Sequence, residues 1–464
     1  MNQMCSRHHS TRALSTIALL LAAMAGCTKS DPPQFRLDIQ ADMMNLKLKP
    51  DEQATALLFT SGEANRLEDL KAQIAKLDEE IAGLSDTSDA ANLEKLQARR
   101  QELDKEAAPL QTRQTRSDGL KTVENVLAAA FGTPDEPYVF EESGLDLKKV
   151  RLASGSPSQQ QPGQRGLYRL QCAHCHGITG DGAGPTAAFL NPYPRDYRQG
   201  VFKFKSTQFA AKPTRADLMR TLVEGINGTA MPSFALLPQE ELESLVEYVK
   251  YLSMRGQVEN EMSYRLLIAD DPFDLTRALV ADEFIKPVAD TWAAAEEAII
   301  IPGDAPEPND IPPPESVALG NELFHGERAA CVKCHGPTAL GDSEDVYYDN
   351  WNKDKEPGDL FWLLPKQQLK PRNLRTGIYR GGRRPMDLYR RIYAGIPGTP
   401  MPGLGSGPGA APPAAPAAGA PTGDQKLTDA EIWHLVNYVR SLPYDEATRG
   451  PRRAAATVAQ GSPH

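Results

Sequence analysis

The chain has 464 residues, room for three domains at ~150 residues each. Its 51 Lys and Arg against 61 Asp and Glu give a formal net charge of -10, which disfavours a nucleic-acid binder, a class that is normally basic. It is 40% hydrophobic with one apolar run near the N-terminus, so a multi-span membrane protein is disfavoured, while 36 Gly and 38 Pro predict long loops and a low-complexity insert.

In chain order, residues 1–26 read as an export signal. Arg7 and Arg12 precede an apolar run from Ala13 to Gly26, which is short for a membrane span of ~20 residues but suits the core of a signal peptide. The run ends in Met24-Ala25-Gly26-Cys27, which resembles a bacterial lipoprotein cleavage box and implies lipid on Cys27. Ordinary signal cleavage and an uncleaved anchor are the alternatives, and both still export the chain. Residues 27–61 are expected to be a linker.

Residues 62–116 read as helical. Leu67, Leu70, Ile74, Leu77, Ile81 and Leu84 alternate spacings of three and four, a heptad seam, and Leu93, Leu96, Leu103 and Leu110 resume it after Ser85 to Asp89. An antiparallel helical hairpin with Pro109 near its end is expected, with a parallel dimeric coiled coil as the alternative. It is either a spacer or docking arm, or a self-contained hairpin. Residues 117–158 are expected to be a linker.

Apart from Cys5 and Cys27, the cysteines form two C-x-x-C-H motifs: Cys172-Ala173-His174-Cys175-His176 and Cys331-Val332-Lys333-Cys334-His335. C-x-x-C-H is the attachment signature of c-type haem. Two thiols on one helical turn can form thioethers to both vinyl groups, and the adjacent His supplies an axial ligand to the iron. A zinc site would need the two pairs, 159 positions apart, to converge, although each already has its own His. A thioredoxin-like dithiol does not require the His. The pattern therefore predicts two covalently bound haem c groups. The glycine-rich stretch Gly177 to Pro185 lacks the Lys-Ser/Thr and strand context of a phosphate loop and reads as the loop under a haem edge.

Beyond each motif the sequence repeats. Pro194-Arg195-Asp196-Tyr197-Arg198 corresponds to Pro371-Arg372-Asn373-Leu374-Arg375. G-I-x-G-T-x-M-P then recurs at Gly225 to Pro232 and at Gly395 to Pro402, and amphipathic segments follow at Leu245 to Leu252 and Leu435 to Leu442. Each unit resembles a class I cytochrome c domain, over about residues 160–255 and 314–445, roughly half the chain. The resemblance implies an all-α fold with two such haem domains in tandem behind the helical hairpin or coiled coil. It also implies axial pairs His176 with Met231 and His335 with Met401.

The residues support that ligand set separately. A thioether is a soft ligand, and Pro after Met holds the backbone extended. Met219 and Met386 lack the repeated setting. His174 is expected to turn away from the iron, and His325 and His434 to be packing or exposed groups. Met/His ligation favours relatively high potentials. Arg195 and Arg372 are candidate partners for the propionates of their own haems.

The domain boundaries expected are 159–255 and 314–445 for the haem domains, with a Pro-rich linker over 256–313. The second domain has an acidic, aromatic-rich insertion from Ser343 to Trp362 and a disordered Ala/Pro/Gly insert over 405–423. A disordered tail covers 446–464. From Lys366 to Arg391 there are nine basic residues and one acidic one, either a steering patch or a solvated face with some arginines on propionates.

The reading is an electron carrier rather than an enzyme, a periplasmic, lipid-anchored dihaem cytochrome. Redox proteins, a membrane respiratory complex included, would be its partners, with no nucleic acid and no small-molecule substrate. A dihaem peroxidase, which needs a displaceable sixth ligand, and a fixed subunit of a membrane oxidoreductase complex are the alternatives.

Overall fold

The computed structural model describes residues 35, 59–84, 90–158, 162–268, 275–303, 311–348, 364–406 and 426–444. The expected export signal, the expected lipid site at Cys27, the 446–464 tail and most of the two insertions lie outside them. The described residues are mostly helical. Their only named sheet is β1 (Tyr347–Tyr348) paired antiparallel with β2 (Gln368–Leu369), with Tyr347 opposite Leu369.

Helices α1 (Ser61–Gly83) and α2 (Ala90–Phe131) form the N-terminal segment. Thr60 and Glu63 close a reciprocal capping box at the start of α1. Leu67 and Leu70 pack against Leu103, Ala107 and Leu110. Glu63 pairs with Arg113, Arg66 with Glu106 and Asp78 with Arg100, so positions rise along one helix as they fall along the other. That order is an antiparallel hairpin within one chain.

α2 does not stop near Arg116. It runs through Pro109 to Phe131, and Val123, Leu127, Ala130 and Phe131 are buried in the core around the first motif. Their spacing of four, three and one is a helical stripe, so the expected linker over 117–158 is instead part of that core. α3 (Leu147–Ala153) adds Val150 and Ala153 to it.

Short α4 (Leu167–Gln171) leads through Cys172 into α5 (Ala173–His176), which carries the first motif. α6 (Arg215–Glu224) starts with a Thr214/Asp217 capping box. α7 (Gln239–Ile268) forms the wall of this core. Its Tyr248 lies 4.8 Å from the Tyr168 ring, and the Tyr251 hydroxyl donates to the Phe131 carbonyl at 2.5 Å, tying α7 to α4 and to the end of α2. Tyr168 donates to the Gly177 carbonyl at 3.0 Å and so fixes the backbone just past the motif.

The expected linker over 256–313 is also largely structured. α7 continues to Ile268 with Val258 and Met262 buried. Arg277–Leu279, a π-helical turn Val280–Ile285 and α8 (Lys286–Ala293) then return Phe284 and Trp292 to the same core. The first haem motif therefore sits in a core much larger than the unit the repeat outlines.

The second unit has its own core. α9 (Pro314–His325) crosses α12 (Asp429–Ser441) at Gly320, where a Cβ would lie 2.0 Å from the His434 carbonyl oxygen. Only glycine permits that approach. Phe324, Ile432, Trp433 and Leu435 fill the crossing. α10 (Val332–His335) carries the second motif, and α11 (Pro385–Ala394) packs on α12. Among the described residues no helix is long and apolar enough to cross a membrane.

The two units meet through specific contacts. Arg220 on α6 donates to Asp387 on α11 at 2.6 Å, and Gln367 donates to the Leu190 carbonyl at 2.8 Å. Asp387 has only 3% of its side chain exposed. Burial alone would raise its carboxyl, but the Arg384 hydrogen bond and the charges of Arg220, Arg384 and Arg391 hold it below the ordinary value.

Two outcomes follow from these contacts. Leu127→Ala removes a side chain with no exposure, and it should lower the unfolding free energy by about 2–5 kcal/mol in denaturant titration, although Leu127 lies outside the repeat. Asp387→Asn should destabilise the protein by about 1–3 kcal/mol at neutral pH, since it strands buried guanidinium groups. Because the folded carboxyl is held down, its contribution is complete above the unfolded value of 3.8 and disappears as pH falls through the lower folded value. The variant and the parent should therefore converge in stability in strong acid.

Candidate haem centres

Each motif is a single helical turn stopped by glycine. Gly177 and Gly336 follow the motif histidines with φ of 74° and 72°, a conformation that turns the chain sharply back under the helix. Gly182 and Gly341 then donate to the His176 and His335 carbonyls, both at 2.9 Å.

That turn brings the repeated Pro-Arg segment beside each imidazole. His176 Nδ1 lies 3.1 Å from the Arg195 carbonyl oxygen, and His335 Nδ1 lies 3.2 Å from that of Arg372. A carbonyl only accepts, so each ring carries its proton on Nδ1 and leaves Nε2 with a free lone pair. Burial pushes His176 down to about 4 and His335 also downward, which keeps both rings neutral. Tyr197 stacks on His176 with ring centres 4.6 Å apart. The repeat has Leu374 at the corresponding place, so the second imidazole lacks that stack.

The motif cysteines are free of disulfides. Burial raises the Cys172 and Cys331 thiols to about 12, so both are neutral. Cys175 contacts the Thr186 hydroxyl at 3.2 Å, and Cys334 contacts the Tyr347 hydroxyl at 3.1 Å.

The methionine loops are near copies of each other. The Ile226 amide donates to the Met231 carbonyl at 3.1 Å, and that of Ile396 to the Met401 carbonyl at 3.2 Å. Thr229 and Thr399 donate through their hydroxyls to the Ile226 and Ile396 carbonyls, both at 2.8 Å. The same hydroxyls accept from the Met231 and Met401 amides at 3.1 and 3.3 Å. Sequence reasoning passed over these threonines, although both are in the repeated G-I-x-G-T-x-M-P.

Both motifs and both methionines line one cavity of about 1400 Å³. Met219 and Met386 do not line it; they pack at the margins of the two cores. His434 is held by the Ser316 hydroxyl at 2.8 Å, and His325 bridges the Asn321 and Pro337 carbonyls at 2.9 and 3.0 Å. His174 is exposed. Among the described residues no three His, Cys, Asp or Glu side chains gather into a cluster that could hold a metal ion, so the two cysteine pairs do not converge as zinc ligands. A cavity of this size, with paired thiols, a ring nitrogen lone pair and a thioether at its wall, suits a flat iron macrocycle attached through sulfur.

Within the basic stretch from Lys366 to Arg391, Lys370, Arg383 and Arg384 are exposed and the other six basic residues are half-buried. Arg384 pairs with Asp387, Arg390 donates to the Ile300 carbonyl and Arg391 to the Arg380 and Gly382 carbonyls. Burial lowers Arg391 to about 10. The solvated face expected there is in good part a scaffold around the Arg220–Asp387 contact. The Arg195 and Arg372 carbonyls face their own histidines, whereas their guanidinium groups reach loops of the opposite unit. Arg380, which sequence reasoning did not single out, also lines the cavity.

Comparison with known proteins agrees with the repeat. Residues 159–249 match the family model for cytochrome C oxidase, cbb3-type, subunit III, and residues 317–443 match the model for cytochrome c. None of the curated proteins compared matches the chain. Among solved structures, the Kuenenia stuttgartiensis reducing HAO-like protein complex Kustc0457/Kustc0458 aligns at 24% identity over 66% of this chain and 97% of that chain, with a TM-score of 0.39. Domains of the two matched kinds bind c-type haem covalently and transfer electrons. The chain carries two cytochrome c-type domains in tandem, each built around its own C-x-x-C-H motif.

Proposed function

We propose that this protein is an exported, membrane-anchored dihaem cytochrome c that passes single electrons between redox protein partners of a respiratory chain. Haem attaches at Cys172 and Cys175 and at Cys331 and Cys334. His176 with Met231, and His335 with Met401, hold the two irons. The observation that carries this reading is the shared cavity lined by both motifs and both methionine loops. The anchoring rests on Met24-Ala25-Gly26-Cys27 in the sequence.

When bound, haem supplies an iron that cycles between ferric and ferrous states. The protein residues do the rest. Cys172, Cys175, Cys331 and Cys334 would hold the haems through thioether bonds to their vinyl groups, each thiol hydrogen going to the neighbouring vinyl carbon, with no net oxidation. The Arg195 and Arg372 carbonyls orient the imidazoles. The hydroxyls of Thr229 and Thr399 brace the loops that present the thioethers. A braced loop would hold the thioether in place as an iron ligand, which favours electron transfer over peroxide chemistry.

Mass spectrometry of the exported protein should show two added haems. Met231→His and Met401→His should each abolish the thioether–iron charge-transfer band of one haem and lower its potential, as read by redox titration. Retention of that band in full in either variant would remove the corresponding methionine as a ligand. Thr229→Val should cost about 1 kcal/mol per lost hydrogen bond in chemical denaturation and weaken the same band without changing the haem count.

A further inference from the structure

The two arginines of the Pro-Arg repeat occupy equivalent places, and each crosses the boundary between the domains. A Cβ placed on Gly228, in the first methionine loop, would lie 2.6 Å from the Arg372 guanidinium of the second domain. Reciprocally, a Cβ placed on Gly398, in the second methionine loop, would lie 3.2 Å from both terminal nitrogens of Arg195 of the first. Gly228 and Gly398 are themselves equivalent, three residues before Met231 and Met401. The contact is therefore a pseudo-two-fold exchange.

These guanidinium groups want an anion. Among the described residues no carboxylate pairs with Arg195, Arg372 or Arg380. Arg372 donates through Nε to the Ile378 carbonyl at 2.8 Å, and its remaining donors lie at the boundary. Arg380 Nε is buried without a partner. Burial lowers Arg380, and the positive charge of Arg372 lowers it further, so two like charges share a partly dry site. The next residue, Gly381, is packed against the Phe204 ring of the first domain, where a Cβ would come within 2.5 Å. All three arginines line the shared cavity. Uncompensated charge in such a place is costly unless an anion is supplied, and haem brings two carboxylates with it.

We infer that the arginines are crossed: Arg372, with Arg380, binds the carboxylates of the haem attached at Cys172 and Cys175, and Arg195 binds those of the haem attached at Cys331 and Cys334. Each domain thereby sets part of the other's potential, and each haem seals the domain boundary. A nearby guanidinium favours the less positive ferrous state, so its removal lowers the potential of the haem it serves. The inference rests on the dihaem reading above and departs from the simpler expectation that each arginine serves its own domain.

The test is redox titration of the full-length, haem-loaded protein, with each haem followed alone. In a Met401→His background only the first haem retains the thioether–iron band, and in a Met231→His background only the second does. Arg372→Gln should lower the potential of the first haem and move that of the second by clearly less. Arg195→Gln should do the reverse. Arg372→Lys should retain most of the parent potential, and Arg383→Gln, an exposed neighbour outside the cavity, should shift neither haem. Equal shifts, a larger shift in the arginine's own domain, or no shift would overturn the crossed assignment. If Arg372→Gln fails to load haem, Arg380→Gln is read in the same way with the same outcomes. Failure of the dihaem reading is separately visible, as fewer than two haems by mass or an unaltered band in the methionine variants.

Discussion

A hydrogen bond from a buried imidazole to a backbone carbonyl governs the arrangement of both centres. At about 3 Å, the Arg195 and Arg372 carbonyls hold His176 and His335 by Nδ1 and leave Nε2 with a free lone pair. Burial adds to this by making the protonated ring unfavourable. The carbonyls are in place only because a glycine in a left-handed conformation turns the chain under each motif helix. A single short segment, Pro-Arg, thus links the imidazole of its own motif to the methionine loop of the other domain. Its backbone does the first task and its side chain the second.

The domains are unequal in how they support this shared geometry. The second has a compact core closed by the crossing of two helices at Gly320. The first recruits the end of a 42-residue helix from the N-terminal hairpin and a helical return after α7. A unit of ~100 residues buries limited surface by itself, so added helices and a prosthetic group are alternative ways to reach a stable core. The N-terminal hairpin is continuous with the first core through α2.

At the boundary the chain places Asp387 among arginines, while Arg372 and Arg380 face the cavity with no carboxylate partner among the described residues. The first arrangement is complete in the polypeptide, and the second is not. The contrast explains why a run of nine basic residues in an acidic protein is not one feature. Part of it is structural, satisfied by Asp387 and by carbonyls, and part faces the cavity with no carboxylate partner among the described residues.

Sequence alone was enough for the all-α class, the tandem cytochrome c domains and the candidate thiols and histidines. These are local: C-x-x-C-H is contained in one helical turn, and the Gly-Thr-Met-Pro loop braces itself through bonds among six neighbouring residues. The hairpin seam was legible for the same reason, as a heptad is a short-range pattern. The extension of α2 to Phe131 and the folding of Val258, Met262, Phe284 and Trp292 onto the first core were not read, because a stripe such as Val123, Leu127 and Phe131 specifies a buried face but not what covers it. The side to which Arg195 and Arg372 turn was likewise beyond the sequence. Repeat equivalence suggested the same role for both within their own domains, whereas their reach depends on how the two domains pack against each other. That packing is settled by long-range contacts such as Arg220 with Asp387, which only the tertiary structure brings together.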